Sequence, residues 1–279
     1  MGIRLVAADL DGTLLNPEGT ISARTREVLG AISERGMTIA LVTSRRMFGA
    51  IPVARTAGVS GPLIVYDGGA EFDGSNETLV ESRPMKLTVA REVISRLRTS
   101  GMMPVVQYVT AAEEYLEVEP FSTDGHAAQG YLRAVAPQVR MVAPHALGNG
   151  TSAPVRIVAF GHLTDLRRVA RGLTGLQCHT QVLPQGNYGV AELSVFDRHV
   201  SKGSAVKALA GRLGISMADV FAIGDGINDV SLFAVAGLSV AMANATPELL
   251  AVANEVTLSN AQDGAAVAME RHVLGRSLA

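Results

Sequence analysis

The sequence predicts an α/β protein in which helices cover both faces of a parallel sheet and a second, α+β domain is inserted. Short apolar runs alternate with helical patterns at both ends of the chain, which is typical of parallel sheets. The middle of the chain instead has successive strand patterns separated by turns. The length of 279 residues is nearly twice that of a typical domain of about 150, and it favours two domains.

The N-terminal part begins the parallel sheet. Its predicted strands, all short apolar runs, cover residues 3–9, 38–43 and 63–66. Ser22 is a good N-cap for a helix between the first two strands, and Gly36 is expected to end that helix. A second helix is predicted over residues 46–57.

The same alternation returns near the C-terminus. Helices are predicted over 201–213 and 230–236, strands over 220–223 and 238–242, and helical pieces from 246 and 265. The middle contains predicted helices at 88–100, at 124–135 and up to 173, and predicted strands at 105–110, 115–118, 139–142, 155–160, 176–183 and 188–196. We therefore predict a core domain of residues 1–83 and 188–279 and an inserted domain of residues 84–187.

Composition narrows the possible partners and the compartment. Lys and Arg number 24 and Asp and Glu 26, and this near balance gives no basic surface for nucleic acid or anionic lipid. The single Cys178 cannot form an intramolecular disulfide, which favours a cytoplasmic protein. The uncharged stretch 230–247 is interrupted by Gly237, Asn244 and Pro247, so we interpret it as buried core and not as a membrane span.

Two acidic side chains end the first predicted strand. Asp9 and Asp11 alternate around Leu10 and are followed by Gly12. In an extended chain they point to the same side, at the carboxyl edge where α/β proteins bind ligands. A carboxylate pair there needs a cation.

A second acidic motif follows the predicted strand at 220–223. It reads GDGIND and places Asp225 and Asp229 at the same edge, with Asn228 between them. Each close pair of like charges costs roughly 4 kcal/mol at an effective dielectric near 20, so the cluster predicts a divalent ion. Oxygen ligands alone favour Mg²⁺.

Two further elements end beside these carboxylates. Thr43 follows the second strand and leads into Ser44 and Arg45. Lys202 opens a helix after the inserted domain, next to Gly203. A lone lysine or threonine is a surface residue in most cases, so Thr43 and Lys202 are predicted site residues only because their elements end beside the carboxylates.

These motifs, in this order, resemble the haloacid dehalogenase superfamily of phosphohydrolases in its Cof-type, IIB branch. The resemblance covers the whole length: DLDGT at 9–13, Thr43 after a strand, Lys202 with Gly203, and GDGIND at 224–229. The segments SVAMANA at 239–245 and SNAQDGAA at 259–266 are also similar to the family. The branch usually has Thr-Gly-Arg in the second motif and Asn-Gly-Ala after the third strand, where this chain has Thr43-Ser44-Arg45 and Asp67-Gly68-Gly69.

The resemblance implies a Rossmann-like core, an inserted cap domain and Mg²⁺-dependent hydrolysis of a small phosphate monoester, such as a sugar phosphate. Asp9 would become an aspartyl phosphate, and Asp11 would act as general acid and then base. Mg²⁺ would be held by the Asp9 and Asp225 side chains and the Asp11 backbone carbonyl.

The resemblance also implies roles for the neighbouring residues. Thr43 and Lys202 would contact the phosphoryl oxygens. Asp229 would support Lys202 or a metal-bound water. The remaining predicted phosphate-binding or substrate-binding residues are Gly12, Ser44, Arg45 and Asn228.

Other functions remain open at this point. A phosphomutase of the same branch would use the same chemistry and pass the phosphoryl group to a second hydroxyl. A receiver domain also places acidic residues, Thr and Lys around Mg²⁺, but it is far shorter and its acceptor Asp lies deeper in the chain. A non-enzymatic relative would be expected to have lost catalytic side chains. The identity of the phosphorylated metabolite and the oligomeric state are not predicted.

Overall fold

The computed structural model describes residues 2–120, 127–184 and 189–276. Its strands are β1 (Leu5–Ala8), β2 (Thr38–Val42), β3 (Pro62–Val65), β4 (Ala70–Asp73), β5 (Leu79–Ser82), β6 (Val105–Val109), β7 (Glu114–Val118), β8 (Val139–Met141), β9 (Arg156–Gly161), β10 (Cys178–Leu183), β11 (Ala191–Asp197), β12 (Val220–Gly224), β13 (Leu238–Ala241) and β14 (Glu255–Val256). Its α-helices are α1 (Ala23–Glu34), α2 (Met47–Ala57), α3 (Leu87–Thr99), α4 (Gln129–Ala134), α5 (Leu163–Gly172), α6 (Lys202–Arg212), α7 (Val230–Phe233), α8 (Pro247–Leu250) and α9 (Gly264–His272).

The chain divides into two compact units. The first unit combines Met1–Glu81 with Ser201–Ala279, and the second is Ser82–Val200. The predicted α/β fold class is confirmed by the sheet and helix arrangement of these units. Among the described residues, no helix combines the length and the apolar character needed to cross a membrane.

The sheet of the first unit has the strand order β14-β13-β12-β1-β2-β3-β4-β5. β1 pairs in parallel with β2 on one side and with β12 on the other, with Leu5 opposite both Thr38 and Val220. The carboxyl ends of these three strands therefore meet at one edge.

Helices cover both faces of this sheet. Leu5 and Ala7 point into a core cluster that contains residues of α6, α7 and α8. Val6 and Ala8 are also fully buried, and they point to the opposite face because side chains alternate along a strand. α1 contacts β2 and α9. Its N-terminus is the predicted one, since the Ser22 hydroxyl accepts a hydrogen bond from Thr25 N at 3.0 Å.

The strands β4, β5 and β14 were not predicted from the sequence. β4 runs antiparallel to β3 after a turn in which Tyr66, Asp67 and Gly68 all have positive φ. The sheet is therefore mixed at this edge.

The second unit is an α+β arrangement with the strand order β10-β11-β9-β6-β7-β8. α3 and α5 pack on one sheet face, and residues of α4 belong to a cluster on the other. β11 lies in this unit, although we predicted residues 188–279 to be core, because it pairs with β9 and β10. Parts of the predicted helix 124–135 and of the predicted strand 188–196 lie outside the described residues.

Candidate active site

Three parallel strands deliver polar side chains to the carboxyl edge of the first sheet. Asp9 follows β1, Thr43 follows β2, and Asp225 follows β12. The backbone keeps its sheet pairing up to Asp9 and Thr43, since Asp9 N donates to Ile223 O at 3.1 Å and Thr43 N donates to Ile64 O at 2.9 Å. The strands thus fix the backbone positions from which these side chains extend.

The carboxylates of Asp9, Asp225 and Asp229 form a cluster at this edge. Each offers one oxygen, and these oxygens all lie within 4.8 Å of one another. Lys202, at the first residue of α6, is fully buried beside them, with Nζ 2.9 Å from Asp9 Oδ1 and 2.7 Å from Asp229 Oδ1. When ionised, the three carboxylates exceed the one ammonium by two negative charges.

The electrostatics of the cluster follow from burial and crowding. Burial raises the pKa of Asp9 well above its usual value, and Asp229 and Asp225 raise it further against the lowering effect of Lys202. Burial and the charge of Asp229 raise the pKa of Asp225 to about 6.

Burial and the neighbouring carboxylates act on the pKa of Lys202 in opposite directions. Burial alone would lower its pKa, but the carboxylates of Asp229, Asp9 and Asp67 outweigh burial and raise the pKa. The ammonium is therefore held in its charged form inside the protein.

Gly12 and Thr13 fix Asp225 from the turn that follows Asp9. Gly12 has φ of 73°, and a Cβ there would lie 2.1 Å from Asp225 Oδ2. Only glycine allows this approach. Thr13 Oγ1 donates to Asp225 Oδ1 at 3.1 Å. Thr13 was not among the predicted site residues, although its position inside the DLDGT motif was a signal.

Asp11 is paired with Arg45. Arg45 Nε donates to Asp11 Oδ2 at 2.7 Å and Nη2 donates to Oδ1 at 2.6 Å. Arg45 was predicted to bind the phosphate or the substrate, and its pairing with Asp11 was not predicted. Arg45 is also tied to the start of α2, since Nη1 donates to Gly49 O at 3.0 Å.

The other predicted residues occupy the surrounding turns. Thr43 is fully buried, and its Oγ1 accepts a hydrogen bond from Arg45 N at 3.1 Å. Ser44 beside it is half-buried. Asn228 Nδ2 donates to Asp67 Oδ1 at 2.8 Å. Asp67, itself buried, thus links the turn after β3 to the GDGIND loop.

The donor set fits a divalent metal ion. Mg²⁺ prefers carboxylate oxygens and keeps part of its coordination sphere for water or phosphate. The cluster offers oxygens from Asp9, Asp225 and Asp229, and its excess of two negative charges equals the charge of one such ion. Asp225 is half-buried, so the cluster is partly exposed at this residue.

Comparison with known proteins shows to which family the chain belongs. The sequence model of the haloacid dehalogenase-like hydrolases matches residues 6–269. The chain is 26% identical to a 5-amino-6-(5-phospho-D-ribitylamino)uracil phosphatase of Bacillus subtilis, with 98% of this chain and 99% of that protein covered. It is 28% identical to a pyridoxal phosphate phosphatase of Escherichia coli, with 98% and 100% covered.

A solved structure has the same fold. It is a haloacid dehalogenase-like hydrolase from Bacteroides thetaiotaomicron, 27% identical, with a TM-score of 0.77 over 96% of this chain and 99% of that one. The family predicted from the four motifs is thereby confirmed: the chain belongs to the haloacid dehalogenase-like hydrolases, in the branch that includes these phosphatases.

Proposed function

We propose that the chain is a phosphoric monoester hydrolase that removes phosphate from a small metabolite through an aspartyl phosphate on Asp9. The observation that carries this proposal is the buried Asp9 carboxylate, which shares one cluster with Asp225 and Asp229 and contacts Lys202. A nucleophile of this kind needs nearby positive charge, because a phosphate dianion repels a carboxylate.

Two steps complete the reaction. In the first, a carboxylate oxygen of Asp9 bonds to phosphorus while the bond to the alcohol oxygen breaks, and Asp11 donates a proton to that oxygen. In the second, water attacks phosphorus, Asp11 accepts a proton from it, and the bond to Asp9 breaks. Inorganic phosphate leaves and both carboxyl groups return to their starting forms.

Residues of the same edge stabilise the transferred group. Lys202 supplies a buried positive charge, and the Thr43 hydroxyl donates a hydrogen bond to a phosphoryl oxygen. Mg²⁺ would be held by the side chains of Asp9 and Asp225 and by the Asp11 backbone carbonyl, and when bound it offsets the repulsion between nucleophile and phosphate. Asp229 orients Lys202, which it contacts at 2.7 Å.

Four residues remain with proposed contacts to the substrate. Gly12, Ser44, Arg45 and Asn228 are proposed to contribute hydrogen-bond donors for the phosphate or its leaving group. The second unit is proposed as the cap domain that excludes water and selects the leaving group. The named relatives act on phosphate esters of small metabolites, which supports a substrate of that size.

The experiment is a screen of phosphorylated metabolites for phosphate release by the purified protein. Wild-type protein with Mg²⁺ is expected to hydrolyse at least one compound, to stop after exhaustive chelation, and to recover when Mg²⁺ returns. Asp9→Asn is expected to be inactive while keeping the wild-type circular dichroism spectrum. Undiminished turnover by chelated protein or by Asp9→Asn would contradict the proposal, and transfer of the group to a second sugar hydroxyl would indicate a mutase.

A further inference from the structure

The segment 242–246, directly after β13, holds the loop that carries Asp225. Met242 N donates to Gly224 O at 3.0 Å, and Thr246 N donates to Asp225 O at 2.9 Å. Two backbone hydrogen bonds therefore hold this segment against Gly224 and Asp225, the first two residues of the GDGIND motif, and no side chain takes part in them.

One side chain of the segment reaches the turn that follows Asp9. Asn244 Nδ2 donates to Gly12 O at 2.9 Å. Asn260, at the start of the short 3-10 helix before α9, makes two hydrogen bonds here: its N donates to Asn244 Oδ1 at 2.9 Å, and its Nδ2 donates to Leu15 O at 2.9 Å. The two asparagines thus hold the carbonyl groups at both ends of the Gly12–Leu15 stretch.

These hydrogen bonds act where the turn meets the acidic cluster. Gly12 lies directly against the Asp225 carboxylate, and the next residue, Thr13, donates to it. Asn244 is exposed and Asn260 is half-buried, so their hydrogen bonds contribute little net stability. Their main consequence is geometric, because they set the position of the turn relative to Asp225.

We propose that Asn244 and Asn260 are positioning residues that keep the Asp9 turn in register with the Asp225 loop. The inference rests on the proposed function, because the spacing they hold is that of the Asp9 and Asp225 carboxylates. Neither residue is assigned to the substrate or to the metal. They act through Gly12, Thr13 and Leu15.

The test compares Mg²⁺ affinity with stability in Asn244→Ala and Asn260→Ala. Losing the residues that orient metal ligands typically lowers metal affinity or activity by about 10- to 100-fold. We expect Asn244→Ala to weaken Mg²⁺ binding by at least about tenfold in calorimetry, within that range. Turnover of p-nitrophenyl phosphate should fall as well, and part of the loss should be restored by excess Mg²⁺. Asn260→Ala should show a smaller effect, since its backbone still supports Asn244.

A matched control contacts the start of β13, the strand that Asn244 follows. Asn254 is also exposed, and its Oδ1 accepts hydrogen bonds from Ser239 N and Oγ at 2.8 and 2.9 Å. Asn254→Ala should lower the melting temperature at least as much as Asn244→Ala and leave Mg²⁺ affinity unchanged. Asn244→Asp, which keeps the acceptor for Asn260 N and loses the donor to Gly12 O, should behave like Asn244→Ala.

The outcomes separate this inference from the proposed function. Wild-type Mg²⁺ affinity and turnover in both Asn244 variants would overturn the positioning role while leaving the proposed function intact. Equal losses in Asn254→Ala would also overturn it, because the effect would then be one of general stability. A wild-type protein that binds Mg²⁺ but hydrolyses no phosphate ester would contradict the proposed function alone, and the calorimetric comparison would still decide the role of Asn244.

Discussion

Arg45 holds both carboxylate oxygens of Asp11, through Nε at 2.7 Å and Nη2 at 2.6 Å. Both side chains remain about one third exposed or less, at 26% and 36%. While this pair is intact, both oxygens of Asp11 accept hydrogen bonds from the guanidinium, and the proton transfer proposed for Asp11 requires one of them to face the leaving group. If Arg45 also binds the substrate, as proposed, a phosphate dianion would compete for the same guanidinium, since arginine can bind phosphate in the same bidentate way.

Arg45→Lys tests this relationship. An ammonium cannot replace the two-point contact, and a hydrogen bond to a charged group contributes about 1.5–3 kcal/mol, so kcat/KM should fall by about 10- to 100-fold. Inhibition by inorganic phosphate should weaken in parallel. Arg24→Lys is the control, because Arg24 forms a similar two-point pair with Glu270 elsewhere in the first unit. Equal kinetics for wild type and Arg45→Lys would exclude a role in turnover.

Gly12→Ala should abolish Mg²⁺ binding and turnover. The added Cβ would lie 2.1 Å from Asp225 Oδ2 and would displace that carboxylate. Gly19→Ala separates this clash from backbone strain, because Gly19 has φ of 74° and no atom within 4 Å of its Cβ position. Gly19→Ala should lose stability and keep activity. An active Gly12→Ala enzyme with wild-type Mg²⁺ affinity would show that Asp225 does not need this close approach.

Lys202→Met should destabilise the metal-free protein strongly. Removing one partner of a buried ion pair typically costs about 3–5 kcal/mol, because the remaining charges stay buried. Lys202→Met combined with Asp229→Asn should regain much of this stability and none of the activity, since one uncompensated carboxylate is gone. Urea denaturation at fixed pH measures the effect. If the double variant were no more stable than Lys202→Met, the buried charges would not be the cause of the loss.

The raised pKa of Asp225 predicts that the stability of the metal-free protein depends on pH. Its pKa of about 6 lies above the value of 3.8 in an unfolded chain, so its protonated form stabilises the fold at low pH. That contribution is lost as pH rises through 6, and it amounts to about 3 kcal/mol for a shift of this size. Asp225→Asn should therefore be more stable than wild type at pH 8 without metal, and the difference should shrink towards pH 4.

Two comparisons complete that prediction. Mg²⁺ should raise the melting temperature of wild type and leave Asp225→Asn unchanged. Asp73 is the control, because hydrogen bonds from Ser75 lower its pKa, and Asp73→Asn should bring no stabilisation at pH 8. If metal-free Asp225→Asn protein were less stable than wild type at pH 8, the ionised Asp225 carboxylate would not destabilise the fold, and the prediction would be wrong.

Much of the fold follows from local patterns. The apolar runs of β1, β2 and β12 and the Ser22 N-cap are each visible within a few residues of sequence. β4 and β5 were missed because they are short and mixed in polarity, and because β4 turns back through consecutive residues of positive φ that include Tyr66 and Asp67. Such a turn depends on tertiary packing and has no local signal.

The candidate site likewise has a part that the local sequence predicts and a part that it does not. Asp9, Thr43 and Asp225 could be assigned to one edge because each directly follows a strand of one parallel sheet. The partners of the side chains could not be assigned. Arg45 meets Asp11 across 34 positions and Asn228 meets Asp67 across 161, and no spacing rule relates residues so far apart. Only the folded backbone decides these pairs.

The most direct test of the account is chemical trapping of the phosphoenzyme. Protein quenched during turnover is treated with sodium borohydride, which reduces an acyl phosphate to an alcohol, and the peptides are analysed by mass spectrometry. The account predicts homoserine at position 9 in wild type with substrate and Mg²⁺, and aspartate at position 9 when substrate is omitted. Homoserine at the position of another aspartate would contradict it. Unmodified aspartate at position 9, in protein that carries its highest level of covalently bound phosphate when quenched, would also contradict it.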